Sequence, residues 1–131
     1  MFVDTSFWVA ARSRRDDRNA QALELLGRHR GQALLTTNHV CGETWTYLRR
    51  SEGFRAGVSF LDMVAGSPRI RIVHVSRALE EDAMRWLRRH DEREYSFVDA
   101  TSFAFMRTEG IQSALAFDGD FSAAGFVELR A

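Results

Sequence analysis

A chain of 131 residues with 18 arginines, 18 acidic residues and no lysine is electrically balanced, and it is long enough to bury roughly two thirds of its unfolded surface as one domain, 1–131. The single cysteine, Cys41, excludes an internal disulfide and any paired-cysteine metal knuckle, and the missing lysine excludes Walker A nucleotide binding and Schiff-base chemistry. No apolar run approaches a membrane span, and the N-terminus lacks the basic region and long apolar core of a signal peptide, so the expectation is a cytoplasmic protein with no membrane partner.

Met1-Phe2-Val3 reads as a short buried strand, and Asp4 arrives where it should end. Asp4 is then either a helix cap or a group standing in the crevice at the carboxyl end of a parallel sheet, with Thr5 or Ser6 capping the helix that follows. That helix, Phe7 to Ala11, breaks in the charged run Arg12 to Arg18. A second helix from about Asn19 to His29 places Ala22, Leu23 and Leu26 on one side, with Leu25 beside them, before Gly31. Ala33 to Thr37 is a strand-length apolar run, and Asn38 is a candidate cap for the helix from His39 to Arg50. Cys41, Thr44, Trp45 and Leu48 form that helix's core stripe, leaving Glu43 on the opposite face beside Tyr47.

A further helix runs from Phe54 to Ala65 and closes at Gly66-Ser67-Pro68. Ile70 to Val75 is β-branched and strand-like, and Ser76 caps a helix with Leu79, Ala83, Trp86, Leu87 and His90 on its stripe. After the charged turn Asp91 to Glu94, Ser96 and Asp99 have capping-box spacing for a helix reaching Gly110. Ala114 to Phe117 is another buried strand ending in Asp118-Gly119-Asp120, and Phe126 to Leu129 is a last, edge strand. Strands alternating with helices imply an α/β fold, a parallel sheet between helical layers.

In such a sheet Asp4 and Asp118 reach the same edge, because each follows an apolar strand. Asp99 shares a helix face with Phe103 and Met106, where a carboxylate is costly unless paired or liganded. Glu43 reads on its own as a solvated helix residue, and Asp120 as either a ligand or the cap of a short turn. Carboxylates gathered within a few ångströms repel one another unless a cation neutralises them, and all-oxygen donors suit magnesium or manganese better than zinc. An ion that keeps bound water can attack a phosphodiester, with arginines from Arg12 to Arg18, at Arg49 and Arg50, or at Arg85, Arg88 and Arg89 as candidate holders of flanking phosphates. His29, His39, His74 and His90 have no third nitrogen or sulfur partner at ligand spacing, and Trp8, Trp45 and Trp86 read as core residues.

The four acidic positions in VDTSF, GETW, SFVDATSF and AFDGDF resemble the PIN domain family, and in particular the VapC toxins of VapBC toxin–antitoxin pairs. The resemblance covers essentially the whole chain. It implies a three-layer α/β/α sandwich and a magnesium- or manganese-dependent endoribonuclease. Asp4, Glu43, Asp99 and Asp118 become its catalytic, metal-holding quartet, and Asp120 a candidate additional ligand. It also implies a homodimer silenced by a VapB antitoxin, acting on transfer RNA or on the sarcin–ricin loop of 23S ribosomal RNA. NHVCGETW, HDEREYSFVDATSF and AFDGDFSAAGFVE are most similar to the sarcin–ricin subgroup. The competing expectations are a structure-specific DNA nuclease using the same acids and a noncatalytic PIN-like module whose acidic pocket receives a partner's arginine.

Overall fold

The computed structural model describes residues 1–131. Its sheet has five parallel strands: β1 (Phe2–Val3), β2 (Leu34–Thr37), β3 (Ile70–Val73), β4 (Ser113–Leu115) and β5 (Val127–Glu128), in the order β3-β2-β1-β4-β5. Between them lie α1 (Thr5–Arg12), α2 (Asn19–Arg28), α3 (Asn38–Ser51), α4 (Phe54–Gly66), α5 (Arg77–Arg88), α6 (Phe97–Glu109) and α7 (Asp120–Ala123). No helix is long and apolar enough to cross a membrane.

A two-residue strand survives at the sheet centre because it is paired on both sides: Phe2 lies opposite Leu35 of β2 and Ala114 of β4, and Val3 opposite Leu115. Both side chains are fully buried, as a strand covered on both faces requires. The chain winds outward from β1 through β2 to β3, then returns across β1 to place β4 and β5 on its other side. With right-handed crossovers, this reversal puts α1 to α4 on one face and α5 to α7 on the other. The order reverses between β1 and β4, so a crevice opens at their carboxyl ends.

Helix starts follow short-range chemistry. Asp4 itself caps α1, which therefore begins at Thr5 and not at Phe7. Thr37, not Asn38, caps α3: its hydroxyl accepts from the Val40 N–H at 3.1 Å, while the Asn38 side chain accepts from the Val75 N–H at 2.7 Å. Asn38 is thus spent on stitching the loop after β3 to the start of α3. In α2 the buried residues are Ala22 and Leu25, and Leu23 is turned outward, because the helix packs mainly on α1 and buries a narrow stripe. The strands are shorter than their apolar runs, β3 ending at Val73 and β4 at Leu115.

The most buried helix is α6, in which every residue from Asp99 to Met106 is buried. At its middle, the Phe103 ring meets Trp86 of α5, Tyr95, Phe121 of α7 and Phe126 at centroid distances of 4.9 to 5.7 Å. Phe2 of β1 packs on Phe105 and Phe121, joining this aromatic layer to the sheet. Truncating a ring with that many partners leaves a cavity that its rigid neighbours cannot fill. Phe103→Ala is expected to lose about 3–5 kcal/mol of stability, read as a lowered denaturation midpoint in urea at constant slope.

Candidate active site

Three carboxylates from distant parts of the chain meet at the crevice. One oxygen from each of Asp4, Asp99 and Asp118 lies within 4.8 Å of the others. Each acid is oriented by a local hydrogen-bonded turn. Oδ2 of Asp4 accepts from the Ser6 N–H at 3.1 Å and the Ser6 hydroxyl at 2.7 Å, and this caps α1. Oδ2 of Asp99 accepts from the Ser96 N–H at 3.0 Å, closing the capping box of α6, in which the Asp99 N–H donates to Ser96 Oγ at 2.9 Å. Oδ1 of Asp118 accepts from the Asp120 N–H at 3.1 Å. The cap and crevice readings of Asp4 are therefore both true: its carboxylate caps α1 and also stands in the close group with Asp99 and Asp118.

Ser6 does more than hold Asp4. Its Oγ also accepts from the Phe117 N–H at 3.0 Å, and the Asp4 N–H donates to the Leu115 carbonyl at 3.0 Å. These two bonds tie the ends of β1 and β4 together and set the approach of Asp4 to Asp118. Phe117 and Ala116 intervene between β4 and Asp118, so the acid stands at the mouth and not at the strand end.

Electrostatics set the cost of this arrangement. Asp4 is 2% exposed, and burial first, then the charges of Asp118 and Asp99, raise its pKa well above the carboxylate range despite the two Ser6 bonds. Asp99, 7% exposed, is raised to about 7, chiefly by burial and further by Asp118 and Asp120, with the Ser96 bonds opposing. Asp118 is exposed as a residue, yet its carboxyl lies among the other acids, and dehydration leads the causes that raise it. The donor set is entirely hard oxygen, which fits a magnesium- or manganese-sized ion. Thr5 adds a fourth oxygen at the same cleft, a buried hydroxyl with no hydrogen-bond partner. An unsatisfied hydroxyl beside three mutually repelling acids is a site that a cation would complete.

The cleft around the acids has a volume of about 520 Å³. Glu43 of α3 lines it, half-buried, but its carboxyl stands outside the close group of three. Tyr47, one turn further along α3, lines it too. Asp120 is placed elsewhere: its Oδ1 accepts from Arg93 Nε at 3.0 Å and pairs with Arg93 Nη2 at 2.9 Å. Among the arginines, Arg18 alone lines the cleft; its guanidinium lies over the Phe117 ring, 5.1 Å from the centroid, and makes no ion pair. The charged run Arg12 to Arg18 was the signal for it, although the sequence does not say which arginine of the run faces the acids. Arg85 pairs instead with Asp82 on its own helix. Cys41 is buried and its thiol is pushed up to about 11, so it is inert, and Trp8 and Trp86 are buried core residues.

A carboxyl whose pKa is raised on folding holds a proton that the unfolded chain has already lost, so stability falls as pH rises from about 4 to about 7. In metal-free buffer the melting temperature is expected to decline across that window. Asp99→Asn, which keeps an acceptor for the Ser96 N–H, should flatten the decline and raise the melting temperature at pH 8, both readable by calorimetry.

A PIN domain family model matches residues 1–127. The chain is 56% identical over 130 residues to the 23S rRNA-specific endonuclease VapC20 of Mycobacterium tuberculosis, in strains CDC 1551 and H37Rv, an alignment covering 99% of this chain and 98% of the relative. The crystal structure of Mycobacterium tuberculosis VapC20, described as a sarcin–ricin loop cleaving toxin, superposes with a TM-score of 0.93 at 56% identity, covering 99% of this chain and 98% of that one. Its three-layer α/β/α architecture, its acidic crevice at the sheet's reversal point and these matches together make the chain a member of the PIN domain family.

Proposed function

We propose that this chain, acting as a single domain over residues 1–131, is a metal-dependent endoribonuclease toxin that hydrolyses a phosphodiester bond in the sarcin–ricin loop of 23S ribosomal RNA. The observation that carries the reading is the meeting of Asp4, Asp99 and Asp118 within 4.8 Å in a half-open cleft. The substrate follows from 56% identity to a relative named for that RNA.

Asp4, Asp99 and Asp118 would hold Mg2+ or Mn2+, with Glu43 facing them across the cleft and the Thr5 hydroxyl available beside them. A bound ion of this kind supplies an activated water and charge stabilisation at the leaving oxygen. The chain's own contribution is position. Ser6, Ser96 and the Asp120 N–H keep the acids from rotating away from one another. Glu43, which lines the same cleft, would serve as a proton acceptor or help to hold the ion. Arg18, which lines the cleft and makes no ion pair, would meet a phosphate group through its guanidinium. Asp120 acts as the outer member of the set, fixing the Asp118 turn through its N–H while its carboxylate holds Arg93. By family membership we further assign it a VapB-type antitoxin, a homodimeric state and a cytoplasmic site of action.

Asp4→Asn and Asp99→Asn are each expected to lower RNA cleavage by more than about 100-fold, beyond what losing a group that only orients a ligand costs, while the fold is retained. Cleavage of 23S ribosomal RNA, transfer RNA and DNA measured side by side tests the substrate. Preferential cutting of transfer RNA or DNA would move the enzyme to another substrate class, and growth inhibition without cleavage would make it a binding module. Magnesium at ten times its dissociation constant should add about 1.4 kcal/mol by mass action, raising the melting temperature by about 5 °C. An unchanged melting temperature would count against a preformed site.

A further inference from the structure

Tyr47 stands where three depressions of the surface meet. It lines the acidic cleft, a smaller hollow beside Arg15 and Glu52, and a groove of about 790 Å³ that runs between α3 and the start of α6. That groove shares Glu43 as well as Tyr47 with the cleft, so the two are continuous. Its other walls include His39, Arg50, Glu80 and Phe97.

The groove carries large rings where water would favour small polar groups. Tyr47 is 53% exposed and Phe97 40% exposed, and neither is needed to close the core. Phe97 is held in place from one side by the His39 ring, at a centroid distance of 6.0 Å, and His39 is itself fixed, with Nδ1 3.3 Å from Thr101 Oγ1 and Nε2 3.6 Å from Glu80. The ring is thus braced but open on its outer side. The groove's charged walls are mixed: Glu80 lies 3.6 Å from His39 Nε2, Glu43 is shared with the acidic cleft, and Arg50 makes no ion pair.

We infer that this groove is a stacking track for unpaired nucleotides, in which Tyr47 and Phe97 receive bases flanking the scissile phosphate and Arg50 meets their backbone. The inference rests on the nuclease reading for its occupant. A polynucleotide whose phosphate sits at the three acids must leave the cleft along a path continuous with it, and this groove is such a path. Exposed rings beside an unpaired arginine are the chemistry by which proteins bind single-stranded nucleic acid, because every base offers a π face while its backbone offers negative charge. A duplex cannot use the rings, so the track selects loops and strand ends from paired RNA. Tyr47 and Phe97 are positioning residues on this account, acting on substrate affinity and not on bond cleavage.

The test uses a fluorescein-labelled RNA hairpin with the sarcin–ricin loop sequence, and a fully paired duplex of the same stem, titrated in magnesium with full-length Asp99→Asn protein so that binding is read without turnover. Adding Tyr47→Ala or Phe97→Ala is expected to weaken hairpin binding about fivefold or more, the equivalent of one lost stack. Duplex affinity should be unchanged, and Tyr47→Phe should keep the parent affinity. In the active protein the same two alanine variants should raise KM with kcat within about twofold. Hairpin affinities within twofold of the parent, or absent hairpin binding, would overturn the inference; so would unchanged RNA binding with weakened capture of the antitoxin, which would make the groove a protein site. Selective hairpin binding without any cleavage by the unmutated protein would sink the nuclease reading and leave the track standing, whereas cleavage untouched by both alanine variants would do the reverse.

Discussion

Mutual repulsion among three carboxylates is the constraint that the rest of this molecule is built to withstand. Left free, Asp4, Asp99 and Asp118 would rotate apart into water. Each is prevented from doing so by a backbone N–H that binds one of its oxygens, so the same bonds that start α1 and α6 and turn the chain after β4 also aim the acids. The fold adds a second restraint by burying Asp4 and Asp99, which forbids a hydrated escape and lifts their pKa values. What results is a pocket whose unfavourable charge is retained by the surrounding structure and is available to an ion. Local strain of this electrostatic kind is characteristic of functional sites.

Much of this was legible in the sequence because the signals were local. Asp4 and Asp118 each follow an apolar run, and parallel strands put such positions on one edge whatever the strand order. Ser96 and Asp99 announced their capping box by spacing alone, and Asp99 on an apolar face was already costly. The crossover from β3 back over β1 was not readable, since strand order depends on which helices pack on which face and not on any one segment. Glu43 illustrates the limit most clearly. Opposite its helix's core stripe it looks solvated, and it reaches the cleft only because α3 starts at the same edge of the sheet as α1 and α6.

The misread caps have a common cause. Asn38 is as good a cap by type as Thr37, but the Val75 N–H across the loop competes for its side chain and the hydroxyl one residue earlier takes the helix start. Likewise, Asp120 does not cap the short turn: α7 begins at Asp120 itself after Gly119, and its carboxylate is held by Arg93 from the loop before α6, 27 residues away in sequence. In both cases a partner distant in sequence took the side chain that a short motif offered as a cap. Leu23 differs in kind: helical periodicity allowed it on the inner side, and the narrow contact of α2 with α1 excluded it.

The burial of α6 on every side from Asp99 to Met106 limits how this scaffold can vary. A helix enclosed in that way behaves as a peg: it cannot shift, tilt or accept a larger residue without disturbing the acid at its tip. Natural diversification would therefore fall on the open flank of α3 and the loops around it, where residues can change without the clustered carboxylates moving, so that the geometry of the crevice is inherited intact while its surroundings are redrawn.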